Sequence, residues 1–192
     1  MLANDIKKIS VASILIICIG LLGFSTERHE GVILIPVFVI AFGIYWHLYT
    51  SEKNFTLKVL VVIGIICRLL LIPSITSLSD DVYRFIWDGR LFNSGISPFA
   101  ALPTHYLSLN TTLPGIDVTL FEKLNSPNYY SVYPPIAQFI FYTSVLPLPT
   151  NTTGSIILIR LMSIMAEFGT LYFLIKVLNH LQLPSRNAML YF

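Results

Sequence analysis

Ser79-Asp80-Asp81-Val82-Tyr83-Arg84-Phe85-Ile86-Trp87-Asp88-Gly89-Arg90 is the stretch on which the reading of this chain turns. Five charged side chains fall between Asp80 and Arg90, in a protein that is only 11% charged. Charge beside apolar, membrane-like segments is costly and usually has a task. At about 100° per residue, Asp80, Asp81, Arg84 and Asp88 share one face of a helix. Val82, Phe85, Ile86 and Phe92 gather on the other side, with Tyr83, Trp87 and Arg90 on a flank. This pattern predicts an amphipathic helix over about 79–93 lying in a membrane surface, carboxylates outward. The spacing equally fits a loop helix whose Asp and Arg pair at i,i+4. The adjacent acids Asp80-Asp81 point toward use, because neighbouring carboxylates repel unless something cationic or protonatable engages them.

The surrounding composition sets the class. The 192 residues are 55% hydrophobic, with formal charge +2 and mean hydropathy +0.74. A soluble domain would hold about a quarter charged residues, so the expectation is an all-α, polytopic membrane protein. So small a net charge gives no reason to expect nucleic acid. The four histidines are scattered, no phosphate-binding glycine loop is present, and no metal-ligand spacing appears, so no metal is expected. Cys18 and Cys67 lie in apolar segments far apart in sequence, as packing residues would.

Four membrane spans are expected, at about 9–24, 32–49, 57–75 and 155–178, in one transmembrane domain over 1–192. Tyr45, Trp46 and Tyr49 read as an interfacial aromatic belt. Lys7, Lys8, Lys53 and Lys58 predict a cytoplasmic N-terminus, which puts the segment 76–133 on the external face. A connection that long is usually functional. Its tyrosines Tyr129, Tyr130 and Tyr133 suit a sugar ring or head group, or equally an interfacial girdle. The apolar run 136–148 is short for a span and predicts a surface or re-entrant helix. Arg68 either snorkels or meets an anion. Arg160 is placed for a phosphate, or else snorkels or pairs with Glu167. Asn110-Thr111-Thr112 and Asn151-Thr152-Thr153 are formal glycosylation sequons. The apolar start at Met189-Leu190-Tyr191-Phe192 suggests a truncated form of a larger protein.

The external motifs carry a resemblance. The acidic stretch above, then Gly95-Ile96-Ser97-Pro98-Phe99, Tyr133-Pro134-Pro135-Ile136-Ala137-Gln138 and Arg160-Leu161 together resemble the N-terminal part of GT-C glycosyltransferases. The likeness covers roughly residues 60–192 and is nearest to polyprenol-phosphate-mannose-dependent mannosyltransferases. It implies a truncated GT-C-like helical bundle with external juxtamembrane helices, in a bacterial inner membrane. It also implies sugar transfer, mannosyl by the likeness, from a lipid-linked donor to a glycan or lipid acceptor on the external face, with membrane lipids as surroundings. Asp80 or Asp81 would be catalytic. Arg160, then Arg84, would receive the donor phosphate. Tyr83, Trp87, Asp88, Tyr129, Tyr130 and Tyr133 would bind sugar or acceptor. No cofactor is implied, although a divalent cation at Asp80 and Asp81 stays open. The family often shows Asp-x-Asp or Asp-Glu where this chain has Asp-Asp. A transporter or flippase, with Arg68, Arg160 and Glu167 as a substrate path, and a non-catalytic truncated membrane protein are the contrasting readings.

Overall fold

The computed structural model describes residues 2–51, 54–74, 78–108 and 113–192, with side chains from residue 6 onward. Lys53, Ile75 and the Asn110-Thr111-Thr112 sequon lie outside the described residues. Eight α-helices and one 3-10 turn are described, and no strand occurs among the described residues. In order they are α1 (Leu2–Phe24), α2 (Gly31–Thr50), α3 (Leu57–Leu71), α4 (Asp81–Asn93), α5 (Pro103–Leu107), α6 (Val118–Phe121), α7 (Pro135–Val145), α8 (Thr152–His180) and the 3-10 turn Ser185–Leu190. Among the described residues, three segments are long and apolar enough to cross a membrane: Ile6–Phe24, Gly31–Thr50 and Thr152–His180. The third expected span, 57–75, contains the fifteen-residue helix α3. At 1.5 Å per residue that is about 22 Å, against a hydrocarbon layer of about 30 Å.

The chain groups into two compact units, one formed by Met1–Leu78 with Ser163–Phe192, the other by Ser79–Met162. In the first unit, α1 packs on α2 and α3. Leu15, Cys18, Ala41, Leu48, Leu60 and Ile63 supply its buried core. The end of α2 is closed by a guanidinium. Arg186 donates from Nε to the Tyr49 carbonyl at 2.7 Å, from Nη2 to the Leu48 carbonyl at 2.7 Å, and from Nη1 to the Phe55 carbonyl. A cation over carbonyls left open at a helix C-terminus satisfies both hydrogen bonding and the helix dipole. Tyr45 and Tyr49 join this closure. Their hydroxyls reach the Met189 carbonyl at 2.7 Å and Asn187 Oδ1 at 3.0 Å. Of the expected aromatic belt, therefore, only Trp46 is turned outward, and the two tyrosines fasten the 3-10 turn. Within the same unit Arg68 pairs with Glu167 and donates to the Gly64 and Phe192 carbonyls at 3.2 and 2.6 Å. The anion that Arg68 meets is thus Glu167.

In the second unit, α4 and α7 form the main helix pair. Ile86, Trp87, Leu91, Tyr106, Leu120 and Val145 are among its buried core. Close approach of α4 to α7 depends on Gly89. A Cβ there would overlap the Phe141 carbonyl oxygen and lie 2.7 Å from its carbon, against backbone that cannot swing aside. Gly43, in α2, has open space around it. Replacing Gly89 by Ala is therefore expected to destabilise the protein by about 1–3 kcal/mol, the usual cost of overpacking. Gly43→Ala should be neutral or stabilising by up to about 1 kcal/mol, through helix propensity alone. Thermal unfolding of both variants in detergent micelles, followed by circular dichroism, checks this contrast.

Candidate functional site

The site is built where the loop 125–133 is laid along one stripe of α4. Asp81, Arg84, Phe85 and Asp88 stand at i, i+3, i+4 and i+7 and so share a face of the helix. Each holds the loop at a different point. Asn125 Nδ2 donates to Asp81 Oδ1 at 2.6 Å. Arg84 Nη1 donates to the Ser126 and Tyr129 carbonyls, both at 3.0 Å. The Ser131 hydroxyl donates to Asp88 Oδ2, and Gln138 Nε2 donates to the same oxygen at 2.9 Å. Tyr133 meets Phe85 edge-on with ring centres 4.9 Å apart, and Phe85 stacks on Phe141 at 4.4 Å.

Beneath the loop lies a buried ion pair. Arg84 Nε donates to Asp88 Oδ1 at 2.9 Å, with the two side chains 2% and 0% exposed. Burying two charges is unfavourable unless the remaining donors and acceptors are also satisfied. Here the loop carbonyls take up the guanidinium, and Ser131 and Gln138 take up the second carboxylate oxygen. The i,i+4 pairing that the spacing allowed is the arrangement adopted. The expected surface helix, with Asp81, Arg84 and Asp88 outward, is corrected accordingly: Arg84, Ile86, Trp87, Asp88, Gly89, Arg90 and Leu91 are all buried. Its polar stripe faces protein because the 125–133 loop covers it.

The expected site residues are sorted by this packing. A groove of about 360 Å³ is lined by Asp81, Asn125, Tyr129, Tyr130 and Tyr133, with Arg84 at its floor. Asp81 is half-buried, its Oδ2 accepting from the Ser79 hydroxyl at 3.1 Å. Asp80 is exposed, does not line the groove, and makes no side-chain capping bond to α4. The adjacent acids therefore diverge, and only one faces the groove. Arg84 is corrected as a phosphate ligand, since its charge is buried and matched by Asp88. Trp87 and Asp88 are corrected as sugar contacts, since neither has any exposed surface. Tyr83 is half-buried against the core and lies 5.3 Å from Lys123 Nζ, outside the groove. Arg160, half-buried in α8, is not among the groove-lining residues. Among the described residues no three His, Cys, Asp or Glu side chains gather as a metal site would require.

Several residues carry roles that motif reading did not assign. Asn125 and Ser79 hold the two oxygens of Asp81. Ser131 and Gln138 hold Asp88. Arg90 is buried and fastens the turn before α6, donating to the Gly115 carbonyl at 2.7 Å and the Thr152 hydroxyl at 3.1 Å. Gly115 has φ +73, and a Cβ there would stand 2.8 Å from Arg90 Nε, so this close turn needs glycine. Burial lowers the Arg90 pKa, and Asp117 opposes the shift. The second sequon has a structural role: Asn151 Oδ1 accepts from the Gly154 N–H at 2.9 Å and caps the start of α8.

No protein-family model matches the chain, and neither a curated protein nor a solved structure matches it.

Two outcomes follow from this geometry. Removal of one partner from a buried ion pair leaves an uncompensated charge and costs about 3–5 kcal/mol. Arg84→Ala should therefore lower the unfolding midpoint far more than Asp80→Ala in the same thermal melt. The Tyr133 phenol is pushed above its ordinary value of 10.0, first by burial and then by the carboxylates of Asp81 and Asp88, with Arg84 opposing. The neutral phenol is the form that the fold favours, so its contribution to stability is full below pH 10. That contribution is lost as pH rises through the elevated pKa. Tyrosine titration by absorbance, with Tyr133→Phe as the difference reference, should place this group above its ordinary value of 10.0. Asp81→Asn should bring it part of the way back, leaving the effects of burial and of Asp88.

Proposed function

We propose that the chain acts as a membrane glycosyltransferase that moves a sugar, mannose by the family resemblance, from a polyprenyl-phosphate donor to an acceptor hydroxyl. The observation that carries this reading is the Asp81 groove. A carboxylate held at both oxygens by Ser79 and Asn125 stands beside three tyrosines that offer flat faces and hydroxyls. The ordered motifs Asp80-Asp81, Gly95-Ile96-Ser97-Pro98-Phe99, Tyr133-Pro134-Pro135 and Arg160-Leu161 support it by resemblance. Three helices able to cross a membrane suit a donor that is itself a lipid. In this reading the N-terminus is cytoplasmic and the groove faces outward.

In the proposed reaction the acceptor oxygen attacks the anomeric carbon while Asp81 takes its proton. The bond from that carbon to the phosphate oxygen breaks, its electron pair leaves with polyprenyl phosphate, and the sugar configuration inverts. A positioned general base contributes about 10²–10⁴-fold. Asp81 is chosen over Asp80 because only Asp81 lines the groove and has fixed orientation. Tyr129, Tyr130 and Tyr133 would pack against the sugar. Charge that develops on the leaving phosphate calls for a cation. Of the two expected, Arg84 is matched by Asp88; Arg160 keeps the phosphate role through the resemblance of the Arg160-Leu161 motif. The transporter reading draws less support, because Arg68 and Glu167 are partners of each other.

Membranes that carry the protein, given a radiolabelled polyprenyl-phosphate sugar, test the proposal. Asp81→Asn is expected to reduce transfer by at least about 10²-fold, in line with loss of a general base, with Asp80→Asn close to wild type. Transfer that persists in the Asp80→Asn, Asp81→Asn double variant removes the catalytic assignment. Transfer unchanged in Arg160→Gln removes that residue from the phosphate role.

A further inference from the structure

The groove along α4 has a sign of charge as well as a shape. Asp81, its one lining carboxylate, is held by two neutral groups, Ser79 and Asn125. Arg84, its one lining cation, is turned onto Asp88 and two loop carbonyls, so its charge is matched beneath the floor. The other basic residues of this unit, Arg90, His105, Lys123 and Arg160, are not among the lining residues. The groove is therefore negative, and it disfavours a phosphate or any other anion.

Its walls select for the same sign. Tyr129 is 71% and Tyr130 57% exposed, yet both sit on a loop whose backbone is pinned, the Tyr129 carbonyl by Arg84 at 3.0 Å. Tyr133 is fixed edge-on against Phe85. The face of an aromatic ring carries negative potential and attracts a cation. A carboxylate beside pinned tyrosines thus offers charge and ring faces to one kind of group, an organic cation. A metal ion fits less well, since a lone carboxylate is a poor ligand set and no third acidic, His or Cys side chain joins it among the described residues.

We infer that the groove takes an organic ammonium group, primary or quaternary, with its charge toward Asp81 and its carbon surface against Tyr129 and Tyr130. A carboxylate has about four acceptor sites, and Ser79 and Asn125 use two. Room remains at Asp81 for the ammonium and for one hydroxyl. In naming the acceptor of the sugar as an amine-bearing molecule, the inference rests on the transfer reading; the binding itself does not.

The test titrates the full chain, in nonionic micelles and without donor, with choline, with ethanolamine and with 3,3-dimethylbutan-1-ol, the uncharged carbon analogue of choline. Saturation-transfer NMR on the ligand protons reads the affinity. Saturable binding of an ammonium is expected, with the carbon analogue at least about tenfold weaker. Asp81→Asn should weaken ammonium binding by a similar factor. Tyr130→Leu should weaken it about threefold, and Tyr130→Phe, which keeps the ring face, should restore most of that loss. A short-chain phosphatidylethanolamine that binds more tightly than ethanolamine assigns a lipid head group as the source; equal or weaker binding assigns a free amine. The inference is overturned if neither ammonium binds saturably, if the carbon analogue binds as well as choline, or if Asp81→Asn binds like wild type while keeping its fold by circular dichroism. Sugar transfer that proceeds without ammonium binding sinks this inference alone, and ammonium binding without transfer sinks only the transfer reading.

Discussion

The second unit depends on one buried pair of charges. Arg84 and Asp88 would be costly inside a protein if they met only each other. They do not. The guanidinium also binds two carbonyls of the 125–133 loop, and the carboxylate also accepts from Ser131 and Gln138. The pair thus converts an irregular loop, broken by Pro127, into a fixed wall along α4. Without that wall the tyrosines would have no set position relative to Asp81. The cost of burying charge is offset only when the loop is in place, which couples the loop to the helix as a single two-sided element.

The same logic appears elsewhere with different partners. Arg186 is satisfied by three carbonyls at and beyond the end of α2, and Arg68 by Glu167 and two carbonyls. Arg90 binds a carbonyl and a hydroxyl across a tight glycine turn. In an apolar chain with few cations, these arginines staple backbone that has no regular hydrogen-bonding partner. A guanidinium suits that task because its planar fork offers five donors in fixed directions, which a lysine ammonium cannot.

Separation of the two adjacent acids gives the site its asymmetry. Asp80 precedes α4 and is exposed; Asp81 opens the helix and turns into the groove. Successive residues on a helix point about 100° apart. One step along the chain therefore decides which carboxylate meets the loop and which meets solvent. The fixed geometry of Asp81, with a donor at each oxygen, leaves lone pairs free for a third partner. The groove is accordingly an arrangement able to hold a hydroxyl-bearing ligand.

Periodicity and composition alone determined the helical class, the apolar segments at residues 9–24, 32–49 and 155–178, and the helix within residues 79–93. Each of these rests on local pattern: long uncharged runs have one stable form in lipid, and a 3.6-residue repeat marks a helical face. The i,i+4 spacing of Arg84 and Asp88 was likewise legible as a pair. What local pattern did not decide was whether the charged stripe faced water or protein. That depended on residues 125–133, more than forty positions away, whose carbonyls and serine complete the coordination. For the same reason Trp87 and Asp88 resembled ligand contacts in the motif yet are core, and Asn125 and Gln138 looked unremarkable yet hold the carboxylates. A buried polar group is stable only when all its partners arrive together, and partners distant in sequence are chosen by the tertiary fold.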